Sequence, residues 1–550
     1  MKNVFKKEIG ITLIALIVTI VVLLILAGIT IASITGNNAP IDKAGQAKNE
    51  TEINAEIEEL QQVISKAGSK SFIHGNFSGS ADESNIKAAL TNLVKDSSEL
   101  NGSAPWIVTG KSGAKYIIDS KGEVYSNTVP AEVTVPQGFV ASKASGEDTV
   151  EGGLVIYEGT IPVTNANVEE ARRTRNQFVW VPVAAEGLTY AKDTTYSNTY
   201  GIYQSYYKDY TDWEDNIKTA NSASSSLSMA KNEESVAKYG GFYIGRYEAG
   251  YPGVVKTVSG TQKIVPLGEG DIVGKKNSST ATVNGATTNL LPQMKKGYAP
   301  WELVSQTNAK LASENLYKNS STVTNARSQL IDSYAWDTTV NWLKKAGIVT
   351  EYDSSHHIQS NTYGNYWDSN FSFSNALYVA YPYYVGKTGV DNTWDWANRS
   401  YKVGSQNVKY ETEKEESKQT DYKQKLIKAS LSLGATDNTK TNNIYDLAGN
   451  LWEWTTEEGT WDGTTTTRAV RRGGSFRYDG SGYPVVYRVG DDGRRYFLQH
   501  WFPRRALFRI NCIYERLCQD LLILAFFCMT GISMLYGESP SRRSYRRTLE

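Results

Sequence analysis

The sequence predicts an α+β protein in three parts: an N-terminal membrane and stalk helix, a small α+β head, and an irregular, loop-rich body. Three observations carry this. Ile11–Ile34 is an almost uninterrupted run of Ile, Leu, Val, Ala and Thr. A stretch with helical spacing follows, and after it three short strand-like runs. From Val133 onward, short strands alternate with Gly/Ser/Thr/Asn loops and scattered aromatic residues.

The apolar run is long enough to cross a bilayer with some tilt. No charge occurs between Ile9 and Ile41, and Lys2, Lys6 and Lys7 precede the run. Lysines stay on the cytoplasmic side, so the single pass places everything after residue 36 outside the cell. Over Asp42–Ala67 the residues Ile53, Ile57, Leu60 and Ile64 fall on one helical stripe, with Glu and Lys elsewhere. This predicts a stalk helix that packs on the next unit and stops at Gly68. In that unit Trp106-Ile107-Val108, Lys115–Ile118 and Glu123–Tyr125 read as strands, the last two joined by the turn Asp119-Ser120-Lys121-Gly122. In the body, Ser328–Ala346 reads as a helix carrying Leu330, Tyr334, Trp336, Val340 and Leu343. Lys409–Leu431 reads as a second, highly charged one.

Composition removes several functions. Lys+Arg and Asp+Glu number 58 each, so there is no basic excess for nucleic acid. The only cysteines are Cys512, Cys518 and Cys528, so the first 511 residues hold no disulfide, thiolate metal site or cysteine nucleophile. Four histidines (His74, His356, His357 and His500) leave little for an imidazole metal cluster. Tyrosine is abundant, at 35 residues, and it serves surface recognition as well as cores.

Lys6-Lys7-Glu8-Ile9-Gly10-Ile11-Thr12-Leu13-Ile14 resembles the processing site of type IV prepilins. The resemblance implies cleavage between Gly10 and Ile11, an anchoring helix over 11–36, a stalk over 37–68 and a pilin-like head over 69–130. The family has glutamate at the fifth mature position, where this chain has Ala15. Anchoring does not need that carboxylate, whereas filament assembly in the family does.

Four blocks mark the body: Phe178-Val179-Trp180-Val181-Pro182; Tyr239 to Glu248; Asn443 to Thr455, which contains Gly449-Asn450-Leu451-Trp452-Glu453-Trp454; and Val470-Arg471-Arg472-Gly473-Gly474-Ser475-Phe476. In this order they resemble the sulfatase-modifying-factor family, over residues 131–496. The resemblance implies a variant of the C-type lectin fold. Its formylglycine-generating members oxidise a substrate cysteine with copper held by two cysteines, three and eight residues after the block serine. Here those positions are Tyr478 and Tyr483. A phenol does not replace a soft thiolate on Cu(I), and the iron-dependent relatives need a histidine cluster that the pair His356-His357 does not supply. The expectation is a catalytically inactive domain without copper or iron. The resemblance further implies a structural Ca²⁺ held by Asn450, the Leu451 carbonyl and Glu453, hard oxygen donors that suit this ion.

Residues 476–492 contain no Lys, Glu, Gln, Met or Trp. Those five residues are unreachable from codons ending in a pyrimidine, the alphabet left when adenines in Asn codons are randomised. The segment resembles the variable region of proteins diversified by a diversity-generating retroelement. That implies a ligand-binding face made from Phe476, Arg477, Tyr478, Asp479, Tyr483, Val485, Val486, Tyr487, Val489, Asp491 and Asp492. Rigid amphipathic rings on a permissive backbone suit recognition.

The family ends on a strand reading Asn-Ile-Gly-Phe-Arg-X-Ala, which this chain lacks. Read one base later, however, the codons of Phe497–Phe508 permit Phe-Phe-Asn-Ile-Gly-Phe-Arg-Val-Ala-Leu-Phe, and Trp501-Phe502 forces its glycine. We therefore expect a one-base frameshift near Gly490–Tyr496, an out-of-frame tail over 497–550 and a missing last core strand. All three cysteines and the apolar run Leu521–Tyr536 lie in that tail. The function expected is a bacterial surface protein, anchored in the membrane and presenting a variable face to a protein or glycan ligand. The alternatives are a formylglycine-generating-type oxidase acting outside the membrane and a minor pilin subunit.

Overall fold

The computed structural model describes residues 40–72, 83–184, 229–266, 278–351, 358–369 and 428–491, apart from 185–186 and the single or short gaps at 303, 367, 461–466 and 477. It also describes residue 187 and the strand segments 379–383, 394–395, 400–403, 406–409, 506–508 and 510–514. The expected leader, the expected cleavage between Gly10 and Ile11 and the expected membrane segment 11–36 lie outside the described residues. Within them, no helix is long and apolar enough to cross a membrane.

The described chain is a mixed α+β protein with several small antiparallel sheets and six α-helices. Helix α1 (Pro40–Phe72) carries the predicted stripe: Ile53, Leu60 and Ile64 are buried and pack with Ile86 and Leu90 of α2 (Glu83–Leu90). It runs on past Gly68, which corrects the expected stop. A glycine inside a helix costs only about 1 kcal/mol against alanine and need not end it. Strands β1 (Trp106–Thr109), β2 (Lys115–Ile118) and β3 (Val124–Ser126) form the head sheet, within a residue of expectation. Gln61 of α1 ties the last turn: its Nε2 donates to the Gly122 carbonyl and its Oε1 accepts from Val124 N, both at 3.1 Å. Asp119, fully buried, accepts through Oδ1 from Lys121 N and Glu123 N. Its Oδ2 accepts from Tyr125 and, at 3.2 Å, from Thr164 of the body, so the turn also docks the head.

The body begins with β4 (Phe139–Ala141), β5 (Val155–Glu158), helix α3 (Val168–Thr174), β6 (Gln177–Pro182), helix α4 (Met229–Tyr239) and β7 (Gly241–Gly245). Two polar hairpins follow, β8 (Val254–Val258) with β9 (Thr261–Val265) and β10 (Thr280–Val283) with β11 (Ala286–Asn289). Helix α5 (Gln306–Asn315) leads to β12 (Ala326–Leu330) and helix α6 (Ser333–Lys345). The helix expected from Ser328 thus starts at Ser333. Its first apolar residues form a strand, and Asp332 caps the helix by accepting from Ala335 N at 2.7 Å. Trp336, Val340 and Leu343 of α6 are fully buried.

Outer strands β13 (Val379–Tyr383), β14 (Trp394–Asp395), β15 (Ser400–Val403), β16 (Gln406–Lys409) and β17 (Lys428–Leu431) come next. The ends of the expected charged helix are therefore strands, and residues 410–427 lie outside the described set. The short pair β18 (Lys440–Thr441) and β19 (Ile444–Tyr445) precedes β20 (Trp452–Thr460), β21 (Thr467–Arg472) and β22 (Arg488–Asp491). Two strands of the tail close the fold, β23 (Ala506–Phe508) and β24 (Ile510–Tyr514).

Two sheets organise the body. One has six strands in the order β12-β24-β7-β6-β5-β4, and the other has four in the order β22-β21-β20-β23. The first two marker blocks supply β6 and β7, buried throughout apart from half-buried Pro182, as expected of strands covered on both faces. The last two supply β20 and β21. The expectation of a missing last strand is corrected at the level of the backbone. β24 pairs with both neighbours, Ser328↔Cys512 and Cys512↔Tyr243, and β23 runs parallel to β20.

Candidate functional site

The candidate site is the segment that joins β21 to β22, laid over β20. Its entry is the pair Gly473-Gly474. Gly474 has φ +78°, and a Cβ there would stand 2.3 Å from the Tyr483 carbonyl, so the segment folds back on its own start only because this residue is glycine. The backbone is then pinned along its length. Phe476 N donates to the Asn450 carbonyl at 2.9 Å, and Gly480 N donates to Asp368 Oδ1 at 2.9 Å. The Gly480 carbonyl accepts from Ser360 N, Val485 N donates to Ser360 Oγ at 3.0 Å, and the Val485 carbonyl accepts from Trp336 Nε1 at 3.1 Å.

Side chains divide into two sets. Phe476, Val485, Val486 and Tyr487 are buried, at 1%, 0%, 2% and 8% exposure, and belong to the core rather than to an exposed face. This corrects their place in the expected binding face: they hold the loop down. Tyr478, Asp479, Ser481 and Tyr483 are half-buried and project. Arg477 and Asp492 lie outside the described residues. Val489 and Asp491 lie on β22, and of these two only the backbone is described.

The projecting tyrosines stand on an aromatic cluster. The rings of Tyr478 and Tyr483 are 4.3 Å apart between centroids, and Tyr483 is 4.8 Å from Tyr487. Trp452, at the start of β20, meets Tyr478, Tyr483 and Tyr487 at 5.7, 6.0 and 5.7 Å. From beneath, the Arg471 guanidinium lies over Trp452 at 5.2 Å and Trp454 at 5.8 Å. Tyr478 and Tyr483 are thus neighbours in space as well as the two positions at which the resemblance puts copper ligands. Two phenols on an aromatic bed offer stacking surface and hydroxyl groups, and no thiolate.

Asn450 does not have its side-chain oxygen free for a calcium ion. Asn450 Oδ1 accepts from Asn365 Nδ2 at 3.0 Å and from Leu431 N at 2.7 Å, filling both lone pairs. Its Nδ2 donates to Glu248 Oε2 at 2.6 Å, and Glu248 Oε1 accepts from Leu451 N. Its main-chain carbonyl already takes Phe476 N. With φ +49° the residue sits in the left-handed region that asparagine tolerates. It acts as a structural knot that ties four other chain segments, at Glu248, Asn365, Leu431 and Phe476, to its own. Glu453 is fully buried on β20, opposite Arg472 in register. Ca²⁺ takes six to eight oxygen ligands, which this arrangement does not leave available at Asn450. The pair His356-His357 lies outside the described residues.

Sequence reasoning missed the charged group behind the site. Asp337 of α6, Glu457 of β20, Arg472 of β21 and Arg488 of β22 are all buried. Asp337 bridges Arg472 and Arg488, the latter at 3.0 Å. Glu457 lies 2.8 Å from Arg488 Nε and 3.8 Å from Arg472 Nη1. Two anions and two cations leave the group neutral, which is the condition for keeping charge in a core. It fixes both ends of the candidate segment.

The chain matches no family model, no curated protein and no solved structure.

Proposed function

We propose that this is a bacterial cell-surface protein of the receptor or adhesin kind, without catalytic activity, in which a lectin-like body presents Tyr478, Asp479, Ser481, Tyr483 and their neighbours to a protein or glycan ligand. Residues 11–36 anchor it to the membrane, and α1 with the head spaces the body from that anchor. The observation that carries this reading is the division of labour in the loop. Its backbone is held at every few residues by Ser360, Asp368, Trp336 and Asn450, and Asp479 steadies the turn by accepting from Gly482 N, while Tyr478 and Tyr483 offer their rings. Such a loop tolerates changes at Tyr478 and Tyr483 without changes of shape, which is what a diversified face requires.

The test compares adhesion of cells displaying the full chain with that of cells displaying Tyr478→Ala/Tyr483→Ala, on arrays of glycans and extracellular proteins. Ligand spots that lose at least tenfold in the variant support the reading. Unchanged binding, or copper-dependent oxidation of a cysteine peptide, overturns it. Sequencing the 3′ end with its flanking DNA tests the rest. A Gly-Phe-Arg strand one base away, beside a near-copy differing at adenines and a reverse-transcriptase gene, is the expected result. An intact frame with no copy removes the diversification.

A further inference from the structure

We propose that Tyr478 and Tyr483 form an oxidative crosslinking site, at which a one-electron oxidant joins the two rings into dityrosine and staples the loop shut. The inference does not rest on the binding role proposed above. It starts from proximity: 4.3 Å between centroids, with planes tilted by 42°, is the shortest separation in the cluster. The two residues bracket a tight turn in which Tyr483 N donates to the Asp479 carbonyl and Asp479 Oδ1 accepts from Ser481 Oγ at 2.8 Å. The rings therefore start from a held geometry, and a bond between them adds little strain in the main chain.

The neighbouring rings direct oxidation to this pair. Trp452 is 2% exposed, and its buried Nε1 has no hydrogen-bond partner among the described residues. An electron hole formed on Trp452 has the tyrosines 5.7–6.0 Å away to pass to, and the Arg471 cation against its ring disfavours keeping the charge there. Tyr487 is within 4.8 Å of Tyr483 but is 8% exposed, with its ring enclosed. Tyr478 and Tyr483 are the half-buried members of the cluster, open to a small oxidant where Tyr487 is not.

The step balances. Each phenol gives one electron to the oxidant and one proton to water. The two phenoxyl radicals join through a new carbon–carbon bond between ring carbons ortho to the oxygens. Each ortho hydrogen then moves to its own oxygen as the ring regains aromaticity. The pair loses two hydrogen atoms, and a peroxidase working on hydrogen peroxide turns these and the peroxide into two waters.

The test treats the full chain in detergent with a haem peroxidase and hydrogen peroxide, then maps the monomer by trypsin and tandem mass spectrometry. Cleavage after Arg477 and Arg488 releases Tyr478–Arg488, which holds all three tyrosines of the loop. The expected peptide is two hydrogens lighter and gives no fragments from breaks between 478 and 483, while breaks after 483 survive. Tyr478→Phe and Tyr483→Phe each abolish the lighter peptide, and Tyr487→Phe retains it. An unmodified peptide beside crosslinks elsewhere in the chain, fragments showing a 483–487 bond, or a lighter peptide persisting in Tyr478→Phe would each overturn the proposal.

Discussion

At the scale of single residues, neighbours in sequence have opposite jobs. Phe476 is sealed in the core while Tyr478, two positions on, projects from it. Phe476→Ala is expected to cost about 3–5 kcal/mol of stability, the usual range for truncating a buried aromatic side chain. Tyr478→Ala is expected to stay within about 1 kcal/mol, since a half-exposed ring loses less burial. Urea denaturation of the two variants checks the contrast. The composition of 476–492 marked the segment but could not sort its members, because a pinned loop has neither the two-residue nor the 3.6-residue period that tells inside from outside. Asn450 teaches the same lesson. Its residue type suits a calcium ligand, yet its oxygens are already in use by Asn365, Leu431 and Phe476. Addition of calcium, or of a chelator, should accordingly leave the melting temperature unchanged in a thermal scan.

At the scale of elements, strands with strong apolar patterns were legible. The head strands fell within a residue of expectation, and the marker blocks became the inner strands of the two body sheets. The boundary at Ser333 was misplaced because buried strands and helices use the same residues, and Leu330 suits either. The cap at Asp332 is the signal that separates them. Nothing local announces the group Asp337, Glu457, Arg472 and Arg488, since its members come from four elements and meet only in the fold. Each looks like a surface charge in sequence. Asp337→Asn should destabilise the protein by about 3–5 kcal/mol, because it leaves two buried guanidiniums facing one carboxylate. Arg488→Met made in that background should recover part of the loss by restoring neutrality. A double-mutant cycle on unfolding free energies measures the coupling, and strict additivity would contradict the arrangement.

At the scale of the whole molecule, stability depends on carboxylates that are charged in the fold. Burial pushes Glu147 up, but Arg246 and Arg172 outweigh it and hold its carboxyl below the ordinary 4.5. Burial pushes Glu169, Asp437 and Glu56 up as well, but each is depressed overall: Glu169 by Lys296 and Arg172, Asp437 by the hydrogen bond from Tyr445 and by Lys440, and Glu56 by hydrogen bonds from Ser112 and Tyr116. A carboxyl lowered in the fold contributes its full stability above its unfolded value and loses it as pH falls through the folded one. The urea midpoint should therefore hold from neutrality down to about pH 5 and drop steeply below about pH 4. Glu147→Gln should lower the midpoint at pH 7 and flatten that acid slope. A variant with the same acid slope as the parent would assign the transition to other groups.

The position of β24 also sets a timetable. It lies between β12 and β7, yet it leaves the ribosome last of all the strands in its sheet. The 265 residues from Gly245 to Ile510 take roughly 13–53 s to make at about 5–20 residues per second. Throughout that interval β7 is an open edge, and β12 joins it once Leu330 is made, each ready to pair with another chain. Whichever frame encodes the closing strand, the gap between β12 and β7 stays unfilled until it has been made.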